Sequence, residues 1–247
     1  MTEPRQGSVR LRTSLLYAVL AVTMAACGGG GGDPGQSPFG NGGQAGGGSG
    51  AEPSQSHLTL AAENVQLDWI TKVDRTHLTF TAADAKGYPA GVGRTVHFRT
   101  EAGTIAPSCV LALSGAKGSA ECSVELTTGF LGPNGGYVTV LAWMEGEEAY
   151  QDSNGNGRYD AGEPFWDAGR PYLDVNENDV FDPPGDTDVL ASSSSIRGQG
   201  ALACAPGPMD GLDPPNVPLS IPNTCDGKWG RGIIRTVIRL PVTAPSP

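Results

Sequence analysis

Several features that mark common protein classes are scarce in this chain of 247 residues. No apolar run approaches the roughly 20 residues that a permanent transmembrane helix needs. Helical periodicity is also scarce, which argues against an α-helical fold. The three histidines, His57, His77 and His97, have no paired spacing with cysteine or glutamate, so a histidine-based metal site is not expected. The formal net charge is −10 and there is no basic patch, which excludes a nucleic-acid partner.

The N-terminal residues have the composition of a signal peptide, with positive charge, an apolar stretch and small residues in that order. The positive charges are Arg5, Arg10 and Arg12, and the apolar stretch covers residues 15–22. The segment Met24-Ala25-Ala26-Cys27 that follows resembles a bacterial lipobox. This resemblance implies that residues 1–26 are removed and that Cys27 is lipidated as the new N-terminus. The alternative is cleavage by the ordinary signal peptidase, with Cys27 as an incidental thiol.

Residues 28–50 are predicted to form a flexible tether, since 13 of them are glycine and almost none could be buried. As a random coil, this stretch would span roughly 25 Å, enough to hold a folded domain clear of lipid headgroups. We expect the lipidated tether to cover residues 27–56. Gly28 is not the aspartate that retains some lipoproteins at the inner membrane, so the resemblance implies a cell-envelope protein anchored in the outer membrane.

Export would permit disulfide bonds among the other four cysteines, which are Cys109, Cys122, Cys204 and Cys225. Four cysteines allow three pairings. A hairpin that turns at Gly115-Ala116 would place Cys109 opposite Cys122 on neighbouring strands, which leaves Cys204 to pair with Cys225. Each bond would stabilise the fold by roughly 3 kcal/mol in the loop-entropy description.

The negative charge is concentrated in one stretch of the chain. Residues 145–188 contain 13 Asp and Glu against two cations, Arg158 and Arg170, whereas the remainder is nearly neutral. The acidity therefore needs a local explanation and does not indicate an oppositely charged partner.

Residues 57–146 are predicted to form an all-β fold. Short segments alternate between apolar and polar residues with a period of two, and Gly, Pro and Asp separate them. These segments are 78–82, 95–99, 122–126 and 137–143. Several short strands at this spacing are typical of a sandwich of antiparallel sheets.

Part of this region resembles the group 1 bacterial immunoglobulin-like domains found in surface proteins of the intimin and invasin type. The resemblance lies in residues 78–107, where a turn leads into a strand pattern. The residues that carry it are Asp84–Pro89, Val96, Phe98, Thr100, Gly103, Ile105 and Pro107. The resemblance implies an immunoglobulin-like β-sandwich.

The chain departs from that family after Trp143, where the last strand should return at once. We expect residues 147–230 to form a loop-rich insertion before this strand. The displaced closing strand is predicted within Gly232–Leu240, and residues 231–247 would comprise this strand and a tail.

Residues 152–163 have the spacing of an EF-hand calcium loop. Oxygen ligands occupy loop positions 1, 3, 5, 9 and 12, which are Asp152, Asn154, Asn156, Asp160 and Glu163. Gly157 at position 6 permits the sharp turn, and the carbonyl of Arg158 would be the ligand at position 7. Calcium takes six to eight hard oxygen atoms at about 2.3–2.6 Å, and this pattern can supply them. The alternative is an acidic turn in which Asn and Asp bond to their own backbone.

A weaker copy of the pattern follows in residues 174–186. Its matching ligands are Asp174, Asn176, Asn178, Asp182 and Asp186. Asp179 replaces the glycine, and one extra proline moves the closing carboxylate to Asp186. A solvated loop without an ion is the alternative reading of this copy.

Pro164 directly follows the first calcium pattern and leaves no helix to act as a lever arm, so we expect one or two structural calcium ions. The sequence has no phosphate-binding loop or nucleophile elbow, and we do not expect an enzyme. The expected function is that of a lipid-anchored envelope protein whose calcium-stabilised immunoglobulin-like module binds an unknown protein or glycan, or supports assembly.

The alternative function is a carbohydrate-binding module. It would need exposed, coplanar aromatic rings beside the calcium loops, and the tryptophans that could supply them are Trp143, Trp166 and Trp229. Burial of these rings would favour the first function.

Overall fold

The computed structural model describes residues 51–114, 118–129, 136–191, 198–204 and 220–243. These residues form an all-β structure in which two sheets pack face to face as a sandwich, which confirms the predicted fold class. The predicted signal peptide, Cys27 and the glycine-rich stretch lie outside the described residues. Among the residues described, no helix has the length and apolar character needed to cross a membrane.

The described residues contain one short 3-10 helix, Gln55–His57, and twelve strands. The strands are β1 (Leu58–Ala62), β2 (Leu67–Asp68), β3 (Arg75–Ala82), β4 (Thr95–Thr100), β5 (Thr104–Ile105), β6 (Ser108–Val110), β7 (Ala112–Leu113), β8 (Ala120–Thr127), β9 (Tyr137–Glu147), β10 (Tyr172–Leu173), β11 (Thr187–Asp188) and β12 (Arg231–Thr243). The four alternating segments predicted from the sequence lie in β3, β4, β8 and β9.

The strands of the sandwich form two sheets. Sheet I has the order β1-β3-β8-β5, with β7 also paired to β8, and sheet II has the order β2-β12-β9-β4-β6. Strand β12 runs antiparallel to β9 over eleven residue pairs, from Arg231 opposite Glu147 to Pro241 opposite Tyr137. The predicted closing strand is therefore part of sheet II. The insertion leaves the sandwich after β9 and returns at β12.

The main core lies between the two sheets, because each strand turns every second side chain inward. Leu78 and Phe80 of sheet I meet Val96 and Phe98 of sheet II, and none of the four is more than 3% exposed. The rings of Phe80 and Phe98 pack edge to face with centroids 6.4 Å apart. Such a pair contributes about 1 kcal/mol beyond the burial of its area.

Strand β9 differs from the predicted alternation because both of its faces are buried. The even-numbered residues of 138–144 face the main core, whereas Leu141 and Trp143 belong to a second apolar cluster. The other buried members of this second cluster are Leu173, Leu190, Ile233 and Val237. Two of these come from the insertion, so the insertion covers the outer face of sheet II. A strand that is covered on both faces is apolar at consecutive positions.

Cys109 is bonded to Cys122, with their Cα atoms 6.0 Å apart, which is the predicted pair. The hairpin register from which we predicted it is wrong, however. Cys109 lies in β6 of sheet II and Cys122 in β8 of sheet I, so the bond connects the two sheets. The chain crosses between the sheets at Leu111, which is buried in the core. Ala112 then pairs with Glu121 in sheet I, a register two residues from the predicted one.

The folded domain begins before residue 57, the boundary expected from the sequence. Ser54 forms a parallel bridge with Glu147 of β9. The buried amide of Gln55 exchanges two hydrogen bonds, both 2.8 Å, with the main chain of Arg235. These polar residues belong to the sandwich because their partners lie in sheet II, far away in the sequence.

Candidate metal centre

The insertion between β9 and β12 carries both predicted calcium loops, here named the first loop (residues 152–163) and the second loop (residues 174–186). Each loop connects two extended segments. The first is closed by an antiparallel bridge between Tyr150 and Phe165, and the second connects β10 to β11. Calcium sensors act by changing the angle between flanking helices, so extended flanks suit a structural ion instead.

Asp152 organises the N-terminal half of the first loop. One of its carboxylate oxygens accepts hydrogen bonds from the N–H groups of Gly155 (2.7 Å) and Asn156 (3.1 Å), and the other accepts from Gly157 (2.6 Å). These bonds, that from Gly157 most strongly, lower the pKa of Asp152 below its ordinary value. The curled backbone therefore favours the ionised form of this carboxylate.

Glu163 and Asp160 complete the first loop. The N–H of Ser153 donates to Oε1 of Glu163 (2.8 Å) and the N–H of Asp160 donates to Oε2 (2.9 Å), so one carboxylate connects both ends of the loop. The Nδ2 atoms of Asn154 and Asn156 each lie 2.6 Å from Oδ2 of Asp160. All five side chains predicted as ligands thus take part in one network.

The second loop repeats these bonds at corresponding positions, although it is one residue longer. Asp186 accepts from the N–H groups of Val175 and Asp182, both at 3.0 Å, and so has the place of Glu163. Asp174 at position 1 accepts from two backbone N–H groups, at 3.3 and 2.9 Å. The closing carboxylate is therefore Asp186, as the shifted pattern predicts.

The two asparagines of the second loop also converge on its position 9 carboxylate. Nδ2 of Asn176 lies 3.1 Å, and Nδ2 of Asn178 3.3 Å, from carboxylate oxygens of Asp182. In both loops the N–H at position 7 donates to the asparagine at position 5; in the first loop Arg158 donates to Asn156 over 2.8 Å. Two loops of different sequence and length therefore arrange the same ligand positions in the same way.

Both loops turn through left-handed residues at positions 4 and 6. In the first loop these are Gly155 and Gly157, each with a φ of 73°. In the second they are Glu177 (57°) and Asp179 (59°), although such values are uncommon for residues with a side chain. The replacement of glycine by Asp179 therefore does not prevent the second loop from adopting the same curl.

The donor set of each loop fits a hard cation such as calcium. In each loop the side-chain N–H₂ groups of the two asparagines face the position 9 carboxylate, whose charge would attract a cation. Rotation of each amide group by 180° would place its oxygen there instead of its nitrogen, and that oxygen could then bind the cation. Each loop offers three carboxylates and two amides at its ligand positions. Within the described part of the chain, no three His, Cys, Asp or Glu side chains form a group that could hold a metal. A calcium ion would therefore also need the asparagine and main-chain oxygens.

Each loop contacts the sandwich through a basic side chain. Lys86, between β3 and β4, packs closely on Gly157. A Cβ atom added at Gly157 would lie 2.6 Å from Cε of Lys86. Arg239 of β12 lies 3.8 Å from the carboxylates of Glu177 and Asp179. Neither contact is apparent from loop spacing, because the partners are distant in the sequence.

Negative charge is dense around the second loop. Asp174 and Asp186 are only 5% and 6% exposed, and burial raises the pKa of Asp186. Glu101, which follows β4, interacts with the same loop. Burial raises the pKa of Glu101, and the charges of Glu177 and Asp174 raise it further. A divalent cation would offset the repulsion among these groups.

Four aromatic rings pack together beside the first loop, from Tyr150, Tyr159, Phe165 and Trp229. Tyr159 and Trp229 stack with centroids 4.5 Å apart and planes 16° apart, and the other contacts are edge to face. The two parallel rings cover each other and do not lie side by side. The cluster therefore holds the loop against Trp229.

Two buried charged residues at the base of the insertion were not predicted from the sequence. The first is Glu148, which is 1% exposed and accepts hydrogen bonds from the N–H groups of Ala168 (2.7 Å) and Gly230 (3.0 Å). Burial raises the pKa of Glu148 to about 8, and the charge of Asp167 contributes. Glu148 therefore connects the two ends of the insertion.

The second is Arg235 of β12, which is completely buried. Its guanidinium donates to the carbonyl of Gly169 (2.9 Å) and the hydroxyl of Ser220 (2.8 Å), and lies 4.8 Å from the ring centre of Trp166. Burial lowers the pKa of Arg235 to about 9. One signal was available in the sequence, because a period of two places Arg235 on the same face as the apolar Val237.

Cys204 is bonded to Cys225, the second predicted pair, with Cα atoms 5.0 Å apart. The two sulfurs lie against Gly169, where a Cβ would be within 2.9 Å of both. The bond therefore lies in the C-terminal part of the insertion and packs against Gly169, whose carbonyl accepts a hydrogen bond from Arg235.

No family model, curated protein or solved structure matches this chain.

Proposed function

We propose that this chain is a non-enzymatic lipoprotein of the bacterial cell envelope, held on the outer membrane through Cys27. Its sandwich carries an insertion that two structural calcium ions stabilise, and the module serves binding or assembly at the cell surface. The observation that carries the calcium proposal is the shared bonding of the two loops. Because the loops differ in sequence and length, their common arrangement of ligand positions points to a common ligand.

The charge of the insertion supports the same proposal. Residues 145–188 hold 13 carboxylates, and Arg170, one of two cations in the stretch, is engaged with Asp188 at 2.8 Å. An ion that binds only the folded state stabilises it by about 2.7 kcal/mol at a hundredfold excess over Kd. Extracellular calcium modules bind with Kd values of roughly 10⁻⁴–10⁻³ M, which suits an exported protein.

We also infer that the sandwich is immunoglobulin-like. Sheet I contains the order β1-β3-β8 and sheet II the order β12-β9-β4. These orders correspond to strands A-B-E and G-F-C of the immunoglobulin fold. The disulfide between the sheets departs from antibody domains, because it connects β6 to β8 and not strands B and F.

Trp143 supports this function over a carbohydrate-binding module, because its ring is buried. Trp143 is 9% exposed and stacks on His97, Trp166 lies under Arg235, and Trp229 is stacked on Tyr159. Trp166 and Trp229 are half-buried, and each packs one face within the protein.

Calcium titration by calorimetry on the purified protein tests the proposal. We expect binding of two ions at or below millimolar calcium, accompanied by a rise in melting temperature. Glu163→Gln should abolish binding at the first loop, because position 12 supplies two oxygens and one charge. Asp186→Asn should weaken binding at the second loop alone. Glu145→Gln, which removes a charge outside both loops, is the control and should bind as wild type does. The absence of binding at millimolar calcium would contradict the proposal.

A further inference from the structure

The apolar outer face of sheet II is covered by one segment of the insertion, residues 172–190, here named the strap. Leu173 and Leu190 of the strap are 2% and 7% exposed, and they pack in one cluster with Leu141 and Trp143 of β9. Val175 and Val189 add to the same cluster. The strap thus contributes apolar residues from both of its ends, and the second loop lies between them.

The strap is a hairpin with very little β-structure of its own. Its ladder consists of two residue pairs, Tyr172 with Asp188 and Leu173 with Thr187. A two-stranded hairpin is at best marginally stable alone, and this one is far shorter than most. Its second loop carries five carboxylates, at Asp174, Glu177, Asp179, Asp182 and Asp186. Without a bound metal ion, the loop that connects the two arms of the strap is therefore also the place where carboxylates repel one another.

The second loop also fixes the strap to the sheet beneath it. Arg239 lies 3.8 Å from the carboxylates of Glu177 and Asp179, and the hydroxyl of Thr139 donates to Glu177 over 3.3 Å. These two acidic residues hold the left-handed positions 4 and 6, which are not ligand positions. The curl that would surround an ion is therefore the same curl that directs these side chains to sheet II.

We propose that calcium in the second loop keeps the strap closed over sheet II, and that low calcium loosens the strap and uncovers Leu141 and Trp143. The inference rests on the proposed function, because it assigns a role to one of the two ions. The first loop has a different role. It contacts Lys86 and the aromatic cluster around Trp229, and contributes nothing to the second apolar cluster.

Hydrogen exchange read by mass spectrometry, at a series of calcium concentrations, tests this proposal on the purified protein. If opening of the strap releases the ion, exchange of the amides in residues 174–190 should slow by about 100-fold at calcium a hundredfold above Kd. Fluorescence of 8-anilinonaphthalene sulfonate should rise as calcium is removed, because the dye binds uncovered apolar surface. Peptides from β3 and β8 should be unaffected and serve as an internal control.

The two position 9 residues provide a matched pair of variants. Asp182→Asn should remove the calcium-dependent protection of the strap, whereas Asp160→Asn, the same change in the first loop, should leave it intact. If Asp182→Asn does not fold, the calcium series on the wild-type protein decides alone. Calcium binding in calorimetry without any change in strap exchange would overturn this inference and leave the proposed function standing. The absence of calcium binding would overturn both.

Discussion

At the scale of single residues, Arg235 is the completely buried charge among the contacts that join the insertion to the sandwich. Desolvation of a guanidinium is costly, and the hydrogen bonds to Gly169 and Ser220 and the contact with Trp166 offset that cost. Arg235 also interacts electrostatically with the buried Glu148. Because Arg235 lies in β12 while Gly169, Ser220 and Trp166 lie in the insertion, this side chain connects the insertion to the closing strand.

We expect Arg235→Met to destabilise the protein by roughly 3 kcal/mol, because it leaves the carbonyl of Gly169 and the hydroxyl of Ser220 without their donor. Unfolding in urea, followed by circular dichroism, measures the change. The matched control is Arg75→Met, which removes an ion pair with Glu125 whose side chains are 64% and 41% exposed. Such a surface pair contributes at most about 1 kcal/mol. Equal effects of the two substitutions would contradict this interpretation of Arg235.

Glu148 should make stability depend on pH. Burial raises its pKa from the ordinary 4.5 to about 8 in the folded state. The folded state then retains a proton that the unfolded state loses, so the contribution of Glu148 to stability is fully present below pH 4.5 and is lost as the pH rises to about 8. The slope from this group reaches at most about 1.4 kcal/mol per pH unit.

Glu148→Gln isolates this contribution, because it removes the titrating group while keeping the shape of the side chain. Urea unfolding should be measured between pH 5 and 8, roughly the range in which the folded state binds one proton more than the unfolded state. The free energy of unfolding should depend less on pH in the variant than in the wild type. Identical pH dependence in the two proteins would show that Glu148 ionises normally in the folded state.

At the scale of the elements, the disulfide between Cys109 and Cys122 matters because it links the two sheets. Replacement of both residues by alanine should lower the free energy of unfolding by roughly 3 kcal/mol.

The same replacement of Cys204 and Cys225 should mainly increase hydrogen exchange within the insertion, because that bond lies outside the sandwich. Peptide mapping under non-reducing conditions should show these two pairs in the wild-type protein. A bond from Cys109 to Cys204 or Cys225 would contradict this fold.

The elements that the sequence predicted well are those with a local signal. A period of two located β3, β4 and β8, because one face of each packs in the core and the other meets solvent. The same rule described β9 incompletely, since the cover on its outer face comes from Leu173 and Leu190. The register at Cys109 failed because Leu111 carries the chain from one sheet to the other. Sequence spacing alone contains no information about such a crossing.

The candidate site shows the same division between local and long-range information. The spacing of acidic residues predicted the side chains that converge in each loop, because loop geometry depends on neighbours along the chain. The contacts from Lys86, Arg239 and Arg235 could not be predicted in this way. Each comes from a strand or turn that lies far away in the sequence and reaches the insertion only in the folded state.

At the scale of the whole molecule, β12 is central because it has the main core on one face and the insertion on the other. It pairs with β9 across the 83 residues of the insertion, from Glu147 to Arg231. Closure of so long a loop costs only slightly more entropy than closure of a short one, since the cost rises with the logarithm of length. The sandwich can therefore accommodate the insertion, provided that internal contacts compensate for ordering it.

The proposed anchor concerns the molecule as a whole, because it determines where the sandwich is held. The proposed tether, residues 28–50, contains Phe39 as its one large apolar residue, so we expect it to have little affinity of its own for a bilayer. Stable anchoring needs more than one acyl chain, which the lipobox resemblance implies at Cys27.

We expect Cys27→Ser to release the protein into the soluble fraction and to abolish labelling by a radioactive fatty acid. Gly28→Asp should retain both the label and the membrane association. In a host whose lipoprotein sorting depends on this residue, the variant should be found in the inner membrane. An unlabelled, soluble wild-type protein would instead indicate cleavage by the ordinary signal peptidase, with Cys27 as a free thiol.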